Sequence, residues 1–520
     1  IKLLIKLIYS IRDYLPEEIK KEYSLIDLPA AIRQLHFPDN REQLDRALSR
    51  LDFDEVFLLQ LTVLNSRKKL KEERSLAIPF NESLVRGIVA ELPFTLTKAQ
   101  KKAAWEALQD MAKPTPMNRL LQGDVGSGKT IVASILMCNT AIGGSQSVLL
   151  CPTEILAKQH YQKIVKTIEK LDMEAVLLTG STKKEEKESI INRIKEGESK
   201  IIVGTHALLE KGIEFWRLGL AIVDEQHRFG VEQRALLRKE SLSTKTLPHF
   251  LSMTATPIPR TLSLTIYGDL DISLIDELPS GRKKPISRIV TPQNRDLVYR
   301  FIAGEIDKGR QAFVICPLIG EEESDEEKKT VLKEYERLDK EIFPGYRVGY
   351  LYGKMKSHDK DQVMSEVSQG EIDILVATSV IEVGVDIPNA TIMLIEGGER
   401  FGLSQLHQFR GRILRSSHQA YCFVSTESDN ETVLHRLEAF IETTDGFKLA
   451  EVDLQSRGPG DYLGSRQHGL PDIKMKNLTN LALIKKARQA AENFLASYNL
   501  ESKPLLNEKT KAYNEVLYLE

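Results

Sequence analysis

The stretch Gly123-Asp124-Val125-Gly126-Ser127-Gly128-Lys129-Thr130 constrains this chain more than any other. It has the spacing G-x-x-x-x-G-K-T. The apolar-flanked run Arg119-Leu120-Leu121-Gln122 precedes it, and Ile131-Val132-Ala133-Ser134-Ile135-Leu136 follows. A strand, a glycine-rich turn and a helix start are the context in which this motif cradles phosphates. Gly123, Gly126 and Gly128 let backbone N–H groups wrap a triphosphate with no Cβ in the way. Lys129 is spaced to reach the terminal phosphate oxygens and Thr130 to ligate Mg²⁺, while the helix N-terminus adds a favourable field. A glycine-rich turn before an ordinary helix is the plain alternative, and the full pattern in its context outweighs it. The chain is expected to bind a nucleoside triphosphate.

A second segment bears on the fate of that nucleotide. Leu218-Gly219-Leu220-Ala221-Ile222-Val223 reads as a buried parallel strand and ends in Asp224-Glu225-Gln226-His227. Asp224 is placed to hold Mg²⁺, directly or through water, and Glu225 to orient and deprotonate the attacking water. Phosphoryl transfer needs positioning and charge neutralisation more than covalent chemistry. Gln226 and His227 are placed to sense the terminal phosphate. A solvated acidic helix start is the competing explanation, since Asp and Glu are common there. Beside a phosphate loop, hydrolysis is the stronger reading.

The 520 residues suggest three or four domains, and 42% hydrophobic with 28% charged residues is a globular balance. The net charge of −2 gives no global basic field, so a nucleic acid would have to be gripped by local grooves and backbone amides. Cys138, Cys151, Cys316 and Cys422 are scattered without C-x-x-C spacing, which argues against a disulfide framework or zinc site and for a reducing cytoplasm. No apolar run reaches membrane-spanning length, so no membrane partner is expected. The chain opens on Ile1 with an amphipathic pattern already under way, and the biological start is expected to lie upstream.

Four regions separate along the chain. Residues 1–90 read as helical, with apolar positions around Leu48, Leu51, Val56, Leu58 and Leu61. The basic run Arg67-Lys68-Lys69-Leu70-Lys71 there is a solvated helix face more readily than a DNA contact. Residues 91–285 alternate helices with short apolar strands at 147–151, 175–178, 200–203, 218–224 and 249–253. Residues 286–430 repeat the pattern without a phosphate loop, with strands at 311–315, 347–351, 372–376, 390–394 and 420–424; the charged stretch Glu321 to Lys329 is expected to be a surface loop. Residues 431–520 form the last region. The fold class is therefore α/β, with two tandem parallel-sheet lobes between helical ends and a nucleotide in the cleft between the lobes.

The transition state of phosphoryl transfer gathers charge that arginines from a partner surface stabilise. Gln408-Phe409-Arg410-Gly411-Arg412-Ile413-Leu414-Arg415 offers Arg412 and Arg415 on one helix face. With two α/β lobes before it, this run resembles the last motif of superfamily 2 helicases and translocases, whose lobes are RecA-like. The rest of that set is present in order. Gln100 resembles the adenine-reading glutamine. Pro152-Thr153-Glu154 and Gly204-Thr205-His206 resemble first-lobe contacts to a nucleic-acid backbone. Ser252-Met253-Thr254-Ala255-Thr256 resembles the motif coupling hydrolysis to lobe movement. The run from Ala377-Thr378 to Gly384-Val385-Asp386 resembles the second-lobe motif touching backbone and nucleotide. Hydroxyls and amides at strand ends suit phosphate contacts that position without reading sequence.

A narrower resemblance is to the RecG family. It rests on Leu92-Pro93-Phe94-Thr95-Leu96-Thr97, on Asp224 to Gly230 with Val231-Glu232-Gln233-Arg234, and on Gly398-Glu399-Arg400-Phe401-Gly402-Leu403. Asp445 to Ala450, Arg457-Gly458-Pro459-Gly460-Asp461 and Gly464 to Gly469 resemble its TRG segment, a helical hairpin and loop. The resemblance implies an ATP-dependent helicase that translocates on duplex DNA with ATP and Mg²⁺ as cofactors. It further implies branched DNA as partner, namely stalled forks, Holliday junctions and R-loops. Single-stranded DNA-binding protein as an associate, a monomeric state and a coupling role for Arg457 and Gln467 follow from the same resemblance. The family carries an N-terminal wedge, an OB fold, and nothing in residues 1–90 reads as five barrel strands, so the chain is expected to be the family's motor without its wedge. Leu414, Gly397-Gly398, Ser456 and His468 depart from the family's usual residues. A transcription-repair coupling type translocase and a nucleotide-gated DNA-binding scaffold remain as alternatives. The first would need partner modules for which 520 residues leave no obvious room, and the second predicts loss of Glu225 or of an arginine finger.

Overall fold

A computed structural model of the chain describes residues 8, 10–169, 171, 173–210, 212–226, 229, 233, 236–237, 242–256, 270–277, 283–317, 324–382, 387–414, 418–457, 477 and 480–517. Strands β1 (Asn118–Gly123), β2 (Gln146–Leu150), β3 (Ala175–Leu178), β4 (Ile201–Gly204), β5 (Leu218–Asp224), β6 (His249–Thr254) and β7 (Asp271–Ile275) build one sheet. Their order is β3-β4-β2-β5-β6-β1-β7, and the pairings from β3 across to β1 are parallel. Parallel neighbours need crossovers, and the helices Lys129–Ile142, Glu154–Ile168 and Lys184–Lys195 supply them. Every residue of β1, β2, β4, β5 and β6 is buried, as a sheet covered on both faces requires. Each buried Leu, Ile or Val contributes about 1.5–3 kcal/mol over its exposed state.

The second sheet holds β8 (Ile286–Val290), β9 (Gln311–Ile315), β10 (Val348–Leu351), β11 (Ile374–Ala377), β12 (Ala390–Ile395) and β13 (Tyr421–Ser425). Its order is β10-β11-β9-β12-β13-β8, parallel throughout. The expected class of two parallel-sheet lobes with helical ends is what the chain adopts.

Two strands, β7 and β8, are absent from the sequence reading. Both lie at sheet edges and bury only alternate or scattered positions, so polar Ser273, Ser287 and Arg288 interrupt the apolar run that marks a central strand. The loop expected at Glu321 to Lys329 is also corrected. From Ser324 the chain is helical through Arg337, because Val331, Tyr335 and Leu338 recur at helical spacing against the second sheet's core. Glu321 to Glu323 lie outside the described residues.

The chain forms two compact units. Residues 74–257 and 272–458 make one, which holds both sheets. Residues 1–73, 258–271 and 459–520 make the other. In the latter, Asn40 caps the helix Arg41–Glu72 by accepting from Gln43 N at 2.9 Å. The helices Leu28–His36, Leu481–Ser497 and Pro504–Leu517 pack along it. Arg50, fully buried, binds Asp13 through Nη2 at 2.7 Å and Asp54 through Nε at 2.8 Å. The described residues before Asn118 hold helices and one isolated bridge, Ser75 to Leu247. All four cysteines are buried and unpaired. Among the described residues no helix is long and apolar enough to cross a membrane.

Candidate active site

Because β5, β6 and β1 are neighbours, their C-terminal ends bring together the glycine-rich loop, Asp224-Glu225 and Ala255-Thr256. Ligands of open parallel sheets bind at this end. Gly128, with φ of +92°, leads into the helix Lys129–Ile142 in left-handed backbone, and a Cβ there would run into the Gln100 amide. Lys129 Nζ donates to the carbonyls of Gly123 at 2.7 Å and Asp124 at 3.1 Å. Burial holds its ammonium below the ordinary lysine value, against the pull of Glu225 and Asp224.

Gln100 is buried and doubly engaged. Its Oε1 accepts from Thr97 N at 2.9 Å, closing the capping box of the helix Lys98–Met111, and its Nε2 donates to Ser127 O at 2.7 Å. The residue read as a base-recognising glutamine therefore also holds the phosphate loop.

Asp224 ends β5. Its Oδ2 lies 2.8 Å from His160 Nε2, and its Oδ1 accepts the Glu225 N–H at 3.1 Å. Burial alone would raise this carboxyl, but His160 with its hydrogen bond and the Lys129 charge hold it below the usual range. Glu225 goes the other way: burial first, then the charge of Asp224, push its carboxyl up. Its φ of +49° is left-handed, a conformation that costs a non-glycine residue about 1–2 kcal/mol. Two adjacent carboxyls are thus driven apart, one kept ionised and one made a better proton acceptor.

The helix Leu403–Arg412, after β12, brings second-lobe groups to these loops. Gln408 Nε2 donates to Thr256 Oγ1 at 2.8 Å, and His407 Nε2 stands 3.0 Å from Asp124 Oδ1. Gly411 lies so close to the loop that a Cβ on it would sit 2.7 Å from Val125 Cβ. Arg412, at the end of that helix, lines a cavity of about 550 Å³ together with Lys129, Thr130, Asp224 and Glu225.

The other residues singled out in the sequence are dispersed. Gly123 and Gly126 belong to the loop. Thr153 caps the helix Glu154–Ile168 by accepting from Leu156 N at 3.3 Å. Thr205 is buried and His206 exposed. Thr254 Oγ1 accepts from Thr256 N at 3.1 Å. Thr378 Oγ1 donates to Glu327 Oε1 at 2.8 Å. Gln226 is half-buried next to Glu225. His227, Gly384, Asp386, Arg415, Gln467 and His468 lie outside the described residues; Arg457 ends the helix Gly446–Arg457, and its side chain lies outside them too, as does that of Ser456.

Comparison with known proteins matches three family models: DEAD/DEAH box helicase at residues 97–265, helicase conserved C-terminal domain at 293–417, and the C-terminal part of RecG domain 3 at 443–511. The ATP-dependent DNA helicase RecG of Bacillus subtilis is 45% identical over 493 residues, which take in 94% of this chain and 71% of that protein. The chain belongs to the RecG family. The RecG of Synechocystis sp. is 47% identical over 98% of this chain and 61% of its own length, so the chain spans about three fifths of that relative. A solved structure of RecG bound to a three-way DNA junction superposes with a TM-score of 0.78 at 40% identity, over 92% of this chain and 62% of that one.

Within this RecG frame, sequence reasoning missed three groups that the fold brings to the site. His160 sits on the helix Glu154–Ile168, 64 residues before the carboxylate it binds. His407 and Asp124 are 283 residues apart. Gln408 stands in a recognisable motif, but nothing in that motif points to its partner Thr256. The one available signal was position: His160 lies on the crossover helix after β2, and β2 neighbours β5.

Proposed function

We propose that this chain is the motor of an ATP-dependent DNA helicase, a duplex translocase that remodels branched DNA by fork regression and Holliday junction branch migration. The supporting observation is the convergence of Lys129, Thr130, Asp224 and Glu225 from the first lobe with Arg412 from the second on one cavity. Branched DNA as substrate is inferred from the relative solved on a three-way junction. Residues 91–285 and 286–430 act as the lobes, and residues 431–520 as the coupling segment. A monomeric, cytoplasmic protein that meets single-stranded DNA-binding protein at forks completes this reading.

The residues fit the roles assigned to them. The Thr130 hydroxyl and Asp224 carboxylate are hard oxygen donors in one cavity, the kind of set that holds Mg²⁺ with waters and phosphate oxygens. Mg²⁺ bound there neutralises charge on the phosphates. Lys129 releases its two carbonyl partners to reach the β/γ-phosphates. Glu225 orients the attacking water and takes its proton, a task its raised carboxyl suits. Arg412, joined by Arg415, stabilises charge on the transferring group. Gln408 bound to Thr256 carries lobe movement into the first-lobe loops, and the hinge motion shifts the grip on DNA. Retention of Glu225 and Arg412 in the cavity favours this reading over a catalytically dead scaffold.

The test is ATP hydrolysis without DNA and with single strand, duplex and a model fork, using Glu225→Gln as control. Stimulation by duplex or forked DNA that the control abolishes is the expected result. Hydrolysis indifferent to every DNA overturns the remodelling function.

A further inference from the structure

The loop after β10 and the end of β11 lie side by side, since β10 and β11 pair in register from Val348↔Ile374 to Leu351↔Ala377. Two donors emerge there: the backbone N–H of Gly353 and the hydroxyl of Thr378. Both are satisfied by one carboxylate oxygen. Glu327 Oε1 accepts from Gly353 N at 2.7 Å and from Thr378 Oγ1 at 2.8 Å. The fit is close, for a Cβ on Gly353 would lie 3.0 Å from that oxygen. Lys354 and Lys356 are exposed on the same loop, and Lys360 Nζ binds the Gly353 carbonyl.

A backbone N–H and a hydroxyl converging on one anionic oxygen, among lysines, is the donor set that grips a nucleic-acid phosphate. Here an internal carboxylate fills it. We propose that Gly353 N–H and Thr378 Oγ1 form a seat for a DNA backbone phosphate, and that Glu327 is an internal phosphate mimic which the DNA must displace. This rests on the reading of the chain as a DNA motor and of Thr378 as a backbone contact. It adds Gly353 to the seat and assigns Glu327 a competing role. The carboxylate keeps the donors paired when DNA is absent, so they carry no desolvation penalty, and it sets a threshold that only a well-placed phosphate overcomes. Removing its charge leaves the seat intact and lowers the threshold.

The experiment measures duplex binding by fluorescence anisotropy at fixed salt for the wild-type chain, Glu327→Gln, Glu327→Ala, Thr378→Ala and the Glu327→Gln/Thr378→Ala double variant. Glu327→Gln is expected to tighten binding about tenfold, the weight of one charge-assisted hydrogen bond at its lower end. Glu327→Ala should do the same, and both should lower the DNA concentration that half-saturates ATP hydrolysis. Thr378→Ala should weaken binding, and Glu327→Gln should gain less in that background. If Thr378→Ala weakens binding but neither Glu327 variant tightens it, the mimic is overturned while the DNA-motor reading stands. If Thr378→Ala leaves binding unchanged, the backbone contact itself fails and the seat with it.

Discussion

His407 Nε2 and Asp124 Oδ1 stand 3.0 Å apart, joining the second lobe's helix Leu403–Arg412 to the phosphate loop of the first. Arg410 Nη2 donates to His407 Nδ1 at 3.0 Å, which leaves the proton on Nε2 and directs it at Asp124. The same guanidinium donates to the carbonyls of Phe440 at 2.7 Å and Thr443 at 2.9 Å. Burial would raise the Asp124 carboxyl, yet His407 holds it below its usual range. A hydrogen-bonded chain thus runs from the phosphate loop to Thr443, where the segment that matches the C-terminal part of RecG domain 3 begins.

That chain should be measurable as a coupling energy. Asp124→Asn, His407→Ala and the double variant, compared by urea unfolding, should show a coupling of about 1–3 kcal/mol, the range for a buried hydrogen bond to a charged group. Strictly additive effects would mean the two side chains are only neighbours.

His160 should matter through Asp224. Loss of a partner that orients a metal-binding carboxylate typically costs about 10–100-fold. His160→Ala is therefore expected to cut ATP hydrolysis by about tenfold or more and to raise the Mg²⁺ concentration giving half-maximal rate, while His160→Gln recovers part of both. An unchanged Mg²⁺ titration in His160→Ala would remove His160 from this role.

His249 predicts acid sensitivity. Its Nδ1 accepts from Met117 N at 3.0 Å and its Nε2 donates to Leu76 O at 2.6 Å, so the ring is held neutral. Burial pushes it down to about 4 from 6.5. The unfolded chain takes up the proton first, so the stability from this group is whole above about pH 6.5 and falls as pH drops towards 4. The full window is worth about 3 kcal/mol. Urea unfolding at pH 7.5 and pH 5 should show a loss that His249→Gln reduces; equal slopes for both proteins would contradict it.

Arg50 tests the helical unit. With its side chain fully buried between Asp13 and Asp54, Arg50→Met leaves Asp54 without its cation and Asp13 with Lys20 alone, 3.7 Å away. Breaking a buried pair this way costs about 3–5 kcal/mol. Adding Asp13→Asn and Asp54→Asn should restore most of the loss in chemical denaturation, and a single variant as stable as wild type would show that the ion cluster is dispensable.

Much of this was legible in the sequence because the signals are local. The central strands carry apolar runs such as Val148-Leu149-Leu150, Leu220-Ala221-Ile222-Val223 and Ala312-Phe313-Val314-Ile315, and the phosphate loop and Asp224-Glu225 declare themselves by contiguous residues whose backbone geometry does the work. Edge strands β7 and β8 escaped because Ser273, Ile275 and Val290 alone among their residues are buried, too few for an apolar run. The helix at Ser324–Arg337 escaped because its charged first turns mask the apolar spacing that begins at Val331.

By itself the sequence determined the fold class and the glycine-rich turn between strand and helix, since both depend on residue types at short separation. The expected pairing of Arg412 and Arg415 on one helix face does not hold, because the helix ends at Arg412. The tertiary structure alone decided which distant groups meet. The strand order β2-β5-β6-β1 sets the crossover helix that carries His160 against the end of β5, and the helix after β12 lays His407, Gln408 and Gly411 on first-lobe loops. The opposite shifts of Asp224 and Glu225 arise there too. Burial and neighbouring charge act through space, and no spacing along the chain encodes them.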